Sequence, residues 1–544
     1  MRLRSAAVAL AAIAIGATVS NAAPTFNWSH RYIQADDQTV NKLVVDPFGN
    51  IVICGEFYTA LNFGSAIPSV GFSDGYVAKF DPNGILVWVK QLGDVRPDRA
   101  WDVTTDPVGN VICVGHLSSA INDQDALIVK YAPDGTQRWL KRLGTGDSHF
   151  QTAMSVSTNL AKEIFVAGEF DGDFSLGGAT LHPTGGVTFY MAKFDQNGNH
   201  LWSKRFLTST PYAYNLSGLT TGADGQTTFT GVLLDSLDLG NGVLKSAGSY
   251  DIFLARFDTN GNALWSKRFG DAQDQSVDAI ALSDNNQIAI AASTNGSVDF
   301  GGGPLTASGD YDPVVAVFNS AGNHLWSKVF NGSSNQYGTD VSWASNSDLL
   351  LVSRGTGTLD FGGGARTISG PINGVWVARL LGLSAGTHRW STTYVSTGGM
   401  VAQIEEDNGK LILAGGVGGA VDFGGGETTG EPDYYDIYLA KYGDALTGVA
   451  PRINFAELGQ NIPNPFNPTT SIPYTLRASG RVRINVYTTT GALVSTLDAG
   501  VQPAGPHTLA WNGRDANGHP VASGVYFYRM EGNAEAPRKM VLLK

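Results

Sequence analysis

The chain has 544 residues, a net charge of −12 and only 15% charged side chains, against a usual ~25%. With 42% hydrophobic residues, 11 Trp, 19 Tyr and 25 Phe it is too apolar and aromatic to stay disordered. Its 68 Gly follow no Gly-X-Y period, which excludes a collagen helix, and no block of Lys or Arg builds a nucleic-acid groove.

Residues 1–22 read as a secretory signal peptide. Arg2 and Arg4 form a positive start, Ala6 to Ala17 an apolar run too short to span a bilayer, and Ser20-Asn21-Ala22 a small-x-small cleavage pattern. Nothing further along is apolar enough for a transmembrane segment, so the mature chain is expected outside the cytoplasm without one.

From residue 23 a repeat sets in. Trp28, Trp88, Trp139, Trp202, Trp265, Trp326 and Trp390 recur at about sixty-residue intervals. Phrases such as Phe257-Asp258-Thr259-Asn260-Gly261-Asn262 precede several of them. A second marker, a Val-Ala-Lys-Phe type run, ends at Phe80, Tyr131, Phe194, Phe257, Phe318, Leu380 and Tyr442. Each copy holds four short β-rich runs bounded by Gly, Asn and Asp turns, and no helical periodicity appears. Four strands in each of seven units predict a seven-bladed β-propeller over residues 23–442. The first copy starts with its Trp strand and the last stops before one. The Trp28 strand is therefore predicted to complete the seventh blade, with Trp strands outermost and the following runs innermost.

The two cysteines, Cys54 and Cys113, sit one and two residues before a Gly in equivalent strands. Alternation then sends them to opposite faces, and two buried free thiols are expected.

Turns such as Asp46-Pro47-Phe48-Gly49-Asn50 are tight and fall on one face; longer, varied loops fall on the other. Binding residues favour varied loops on a rigid scaffold. The non-repeating candidates are Asp98, Arg99, His149, Tyr212, Tyr214 and Tyr337. The Gly-rich segments Asp299 to Gly303, Asp360 to Gly364 and Asp422 to Gly426 belong to the same varied set, and the short second copy is expected to leave a notch beside His116. His200 and His324 read as surface turn residues. Repeating Lys79, Lys130, Lys193, Arg256, Arg379 and Lys441, and Asp74, Asp125, Asp251, Asp312 and Asp436, read as structural. Gly71-Phe72-Ser73-Asp74-Gly75 and Gly382-Leu383-Ser384-Ala385-Gly386 match a nucleophile-elbow pattern but lack its strand-turn-helix setting. No metal or cofactor motif occurs; Asp-rich turns such as Asp195 to Asn199 leave Ca²⁺ as the one ion to consider. No catalytic residue is nominated.

Residues 443–460 read as a linker and 461–544 as a small β-sandwich of six or seven strands.

The repeat resembles secreted bacterial seven-bladed propeller repeat families over roughly residues 24–442. Its Asp-x-Asn-Gly-x-x-x-Trp phrase resembles the tryptophan-docking phrase of quinoprotein propellers. The end of the chain is more specific. Asn464-Pro465-Phe466-Asn467-Pro468-Thr469-Thr470, Trp511-Asn512-Gly513-Arg514-Asp515, Ser523-Gly524-Val525-Tyr526-Phe527-Tyr528 and the closing Lys539 to Lys544 resemble the Ig-like domain related to the flagellar hook-capping protein, used as a C-terminal sorting domain by type IX secretion substrates. That resemblance implies export across an outer membrane, with secretion machinery as the partner of residues 461–544. The resulting expectation is a secreted or cell-surface, non-enzymatic propeller that binds a protein or glycan through its loop face, and no nucleic acid. The alternatives are a propeller enzyme, marked by acidic and basic groups converging at the channel mouth, and a purely structural envelope protein.

Overall fold

The computed structural model describes residues 23–543 apart from positions 35, 121–122, 145–148, 184–185, 209–215, 371–373, 383–384, 444–454, 477–479, 489–492, 503–504, 516–517 and 531–537. The expected signal peptide, Tyr212 and Tyr214 lie outside the described residues. Among the described residues every regular element is a strand, and no helix is long and apolar enough to cross a membrane.

Seven four-stranded antiparallel sheets form the blades. The innermost strands are Lys42–Val45, Arg99–Thr105, Gln151–Thr158, Leu216–Thr221, Gln275–Leu282, Gln336–Trp343 and Gln403–Asp407, in blades 1 to 7. The Trp strands are outermost, as expected. Blade 7 takes its outer strand from the other end of the propeller: Thr25–Tyr32 pairs antiparallel with Asp436–Gly443. The ring is closed by this clasp, which removes the open edge a linear stack would present.

The two middle strands of a blade, such as Ile51–Phe57 and Asp74–Phe80, are buried along their whole length. Each blade is covered on both faces by its neighbours, so these strands are continuous apolar runs instead of alternating ones. Three devices lock the blades. In five blades the indole N–H of the Trp reaches a carbonyl in the next blade's hairpin turn: Trp88 to Pro133 at 3.0 Å, Trp139 to Gln196 at 3.3 Å, Trp202 to Thr259 at 3.1 Å, Trp265 to Ser320 at 3.0 Å and Trp326 to Gly382 at 2.6 Å. The turn glycine lies flat against the ring; a Cβ on Gly261, at φ +73°, would stand 2.8 Å from the Trp202 ring. Only Gly combines that close approach with a positive φ at no steric cost.

The second device is the repeating cation of the third strand. Lys79 pairs with Asp46 at 2.7 Å, Lys130 with Asp106 at 2.9 Å, Lys193 with Glu163 at 2.8 Å, Arg379 with Asp348 at 3.0 Å and Lys441 with Asp407 at 3.0 Å. Blade 4 repeats it more loosely, Arg256 to Asp224 at 3.8 Å. Each acid sits in the tight turn after an inner strand, where several also accept backbone amides, as Asp46 does from Phe48 and Asn50. In blade 5 both partners change together: Val317 replaces the cation and Ser283 the turn acid.

The third device departs from expectation. The Gly-rich segments form short hairpins, such as Ser297–Asp299 with Pro304–Thr306, and drive an aromatic ring into the wedge between blades at the rim. Phe300 meets Phe269 at 5.0 Å and Phe318 at 6.1 Å, Phe361 meets Phe330 at 4.7 Å, and Phe63 meets Tyr32 at 4.7 Å. These segments are packing elements of the outer rim. Their glycine tips cover the rings of His200, His324 and His388, which are half-buried and not free surface side chains. Gly is needed there because any Cβ on Gly178, Gly302 or Gly363 would strike an imidazole.

The C-terminal unit has two sheets: Phe455–Leu458, Thr470–Leu476 and Gly505–Trp511 in one, and Leu493–Gln502, Gly480–Thr488, Gly524–Met530 and Arg538–Leu542 in the other. The first of these strands falls inside the segment read as linker. Trp511, Phe466, Tyr528, Met540 and Leu542 fill the core. The Tyr528 hydroxyl donates to the Gly459 carbonyl and accepts the Asn461 amide, both at 2.8 Å.

Candidate functional site: the central lumen and its mouth

The inner strands surround a lumen of about 360 Å³. In most blades a β-bulge interrupts the inner strand, as between Ala100 and Asp102 or between Gly338 and Asp340, and turns an extra side chain toward the axis. Repeat-equivalent positions, fixed by pairing with the residue before the strand glycine or its counterpart, are Lys42, Asp102, Ser155, Gly218, Ala279, Asp340 and Gln403. A position that is Lys, Asp, Ser, Gly, Ala, Asp and Gln in turn is not kept for blade packing alone.

The lumen collects Lys42 with Asp102, Asp278, Asp340 and Glu405, hydroxyls including Ser155, Ser217 and Ser342, and the indoles of Trp101 and Trp343. Several carboxylates are engaged across blades. Asp102 accepts the Ser155 hydroxyl at 2.7 Å and the Val156 amide at 2.9 Å; Asp340 accepts the Ile404 amide at 2.8 Å; Glu405 accepts the Ser342 hydroxyl at 2.7 Å. Burial raises all four carboxyls, Asp278 and Glu405 to about 7. Burial works against the Lys42 ammonium, but Asp340, Asp102 and Glu405 outweigh it and hold Lys42 charged.

On the varied face the mouth carries two arginine–aromatic pairs. Arg99 stacks over Trp101 at 4.3 Å and forms a two-pronged ion pair with Glu56, its Nε 2.7 Å from Oε2. Trp101 donates to His116 Nδ1 at 3.1 Å. Burial, with Arg99 nearby, lowers that imidazole to about 4. His116 is therefore a buried neutral acceptor, 7% exposed. From blades 5 and 6, Arg354 lies over Tyr337 at 5.6 Å, and Tyr337 packs against Tyr311 at 5.2 Å.

Beside the first pair is an exposed apolar patch. Phe72 is 70% exposed, Val95 71% and Val70 58%. Tyr58 meets Phe72 edge-to-face at 5.7 Å. Asp36, Asp37, Tyr58, Thr59 and Phe72 line a shallow groove there.

The sequence candidates divide. Arg99 and Tyr337 stand at the mouth. Asp98 is buried, its oxygens accepting the Asp94 and Ser118 amides at 2.7 Å each, and burial raises its carboxyl to about 6; it braces a loop. His149 pairs with Asp171 at 3.3 Å. The Asp-rich turns use their oxygens internally: Asp195 accepts the Asn197 and Asn199 amides at 2.8 Å. Among the described residues no group of three His, Cys, Asp or Glu is placed to hold a metal. Lys42, Asp102, Asp278, Asp340 and Glu405 were missed by reading loops only. The signal was present in the inner strands, where one register position differs from blade to blade.

Residues 467–535 match the family described as FlgD Ig-like domain. The Regulatory protein FlaEY of Caulobacter vibrioides is 23% identical over 184 residues, 31% of this chain and 19% of that protein. The uncharacterized WD repeat-containing protein L264 of Acanthamoeba polyphaga mimivirus is 21% identical over 378 residues, 52% of this chain and 26% of its own. The chain thus spans about a quarter or less of the length of these curated relatives. Among solved structures, quinohemoprotein alcohol dehydrogenase from Comamonas testosteroni is similar at TM-score 0.37 and 11% identity, covering 92% of this chain and 78% of its own. A Bacteroides caccae protein of unknown function is similar at TM-score 0.33 and 11% identity, covering 66% and 94%.

Proposed function

We propose that this chain is a secreted or cell-surface propeller that binds a protein or glycan through the varied face of blades 1 and 2, without catalysing a reaction. The observation that carries the reading is the Phe72, Val70 and Val95 patch against Tyr58. Large apolar side chains held open beside a polar, arginine-braced mouth are what an interaction site requires. We propose further that residues 1–22 direct export, and that residues 461–544, after a linker at 443–460, are the sorting module that carries the propeller across the outer membrane. The match to an FlgD Ig-like domain supports an envelope or extracellular address.

The full chain screened on a glycan array and a peptide array tests the binding reading. Phe72→Ala is expected to weaken any hit at least tenfold, while Val243→Ser, on a blade 4 hairpin, leaves it unchanged. Absence of hits on both arrays, or hits indifferent to Phe72, overturns it. For delivery, removal of residues 461–544 should retain the protein in the periplasm; unchanged export defeats that claim.

The second reading is an enzyme, favoured by the Glu405 carboxyl beside Lys42 and by the Asp278 carboxyl in the same lumen. It predicts turnover abolished by Glu405→Gln with folding intact. Against it, Asp102, Asp340 and Glu405 are occupied in bonds between blades.

A further inference from the structure

Cys54 and Cys113 were expected on opposite faces of equivalent strands. They are, and that is what brings them together. In a ring of stacked blades, one face of blade 1 packs against the opposite face of blade 2. Two residues whose registers differ by one therefore meet in the interface between them. Cys54 pairs with Val77 in its own sheet and Cys113 with Val129 in the next. Both thiols belong to one cluster with Val52, Val77, Val103 and Val129, and both are fully buried. Both are free thiols in the structure, and burial, with the Cys113 thiol as neighbour, raises the Cys54 thiol well above its ordinary value. These are the only two cysteines of the chain.

We infer that Cys54 and Cys113 are a covalent cross-linking site, oxidised to a cystine that fastens blade 1 to blade 2 as the propeller folds. Blade 2 is the blade that needs it. It lacks the rim hairpin that packs an apolar side chain between blades elsewhere, such as Leu239 in blade 4 or Phe300 in blade 5, so its joint with blade 1 rests on a smaller apolar cluster. The reaction is thiol–disulfide exchange with a small-molecule or protein disulfide. One cysteine thiolate attacks that disulfide and expels a thiolate. The second cysteine thiolate then attacks the mixed disulfide and expels the other. Two protons and two electrons leave the pair, and the oxidant becomes two thiols. Because both sulfurs are sealed in the folded interface, the exchange takes place before blades 1 and 2 close. The finished protein then neither gains nor loses the bond readily.

The full chain, unfolded with reductant and refolded in a glutathione buffer of oxidised and reduced forms, tests this without depending on export or on any ligand. The expected product is a monomer with no free thiol when denatured and alkylated. A single peptide pair should join the Cys54 and Cys113 segments, and the thermal midpoint should lie about 5 °C above that of chain refolded under reductant. Folded reduced protein placed in the same buffer is expected to keep both thiols for hours. Two alkylated cysteines per refolded chain, or cross-links only between chains, overturn the proposal. Refolding of Cys54→Ser separates the bond from a packing effect: its midpoint should be the same in both buffers, and a shift matching that of the parent chain refutes the cystine as its cause.

Discussion

The Trp326 indole donates to the Gly382 carbonyl at 2.6 Å, and that bond crosses from blade 5 to blade 6. Its counterpart one blade on is missing. Trp390 is buried, but among the described residues its N–H has no acceptor. The reason is topological. The acceptor comes from the turn between the third and fourth strands of the next blade, and blade 7 has no such turn because its fourth strand arrives from the N-terminus.

This asymmetry makes a matched pair of substitutions informative. Trp326→Phe and Trp390→Phe remove similar volume, but only the first strands a carbonyl. Trp326→Phe should be the more destabilising by about 1–2 kcal/mol in urea titrations. Equal losses would show that the indole bond contributes little beyond packing.

The glycine facing such a ring is the next target. Gly261→Ala places a methyl 2.8 Å from the Trp202 ring at φ +73° and should cost about 2–3 kcal/mol. Gly303→Ala, at φ +101° with nothing within 4 Å, carries the backbone strain alone and should cost about 1 kcal/mol. Thermal midpoints of the two variants check the order.

Lys79→Val leaves the Asp46 carboxylate buried without its ammonium, and about 3–5 kcal/mol should be lost. Blade 5 already shows the apolar solution, Ser283 with Val317. Adding Asp46→Ser to Lys79→Val should recover most of the loss. A double variant as unstable as the single one would refute the pairing as the cause.

The lumen imposes a pH dependence. Asp278 and Glu405 are raised to about 7, so the folded chain holds protons that the unfolded chain has released between about pH 4 and pH 7. Their contribution is complete below the unfolded values and is lost as pH rises through 7. Asp278→Asn should therefore be neutral near pH 4 and stabilising by about 1 kcal/mol at pH 8, a figure reduced for the water its side chain meets in the lumen. Stability curves of both proteins at the two pH values decide it.

Lys42→Met works in the opposite direction. It removes the charge that faces Asp102, Asp340 and Glu405, so the loss should be larger at pH 8 than at pH 5. A pH-independent loss would mean that Lys42 acts through packing only.

The architecture was legible because indoles, turn glycines and strand cations each repeat with the blade, and each repeat has one physical job. The clasp could be read from where the first Trp strand starts. The rim hairpins were misread because Asp-Phe-Gly-Gly-Gly is loop-like in composition, and nothing local says that its Phe is driven into a wedge. The lumen residues were overlooked because a Lys or Asp inside a strand of Val and Thr reads as an outward face; only the closed ring turns that face toward an axis. Arg99 stands out in the sequence as a non-repeating residue of the varied loops, but its partner Glu56 lies 43 positions away, where only the packing of adjacent blades can bring it.

The clasp of Thr25–Tyr32 on Asp436–Gly443 also has a mechanical side. Thr25 pairs with Gly443, so the chain enters and leaves the propeller at the same corner of the same sheet. Tension applied between the two ends would peel this sheet one rung at a time, whereas the other six blades carry no load until it opens. Held by the C-terminal unit alone, with its front end free, the wheel hangs from blade 7 and its fastening strand bears no strain.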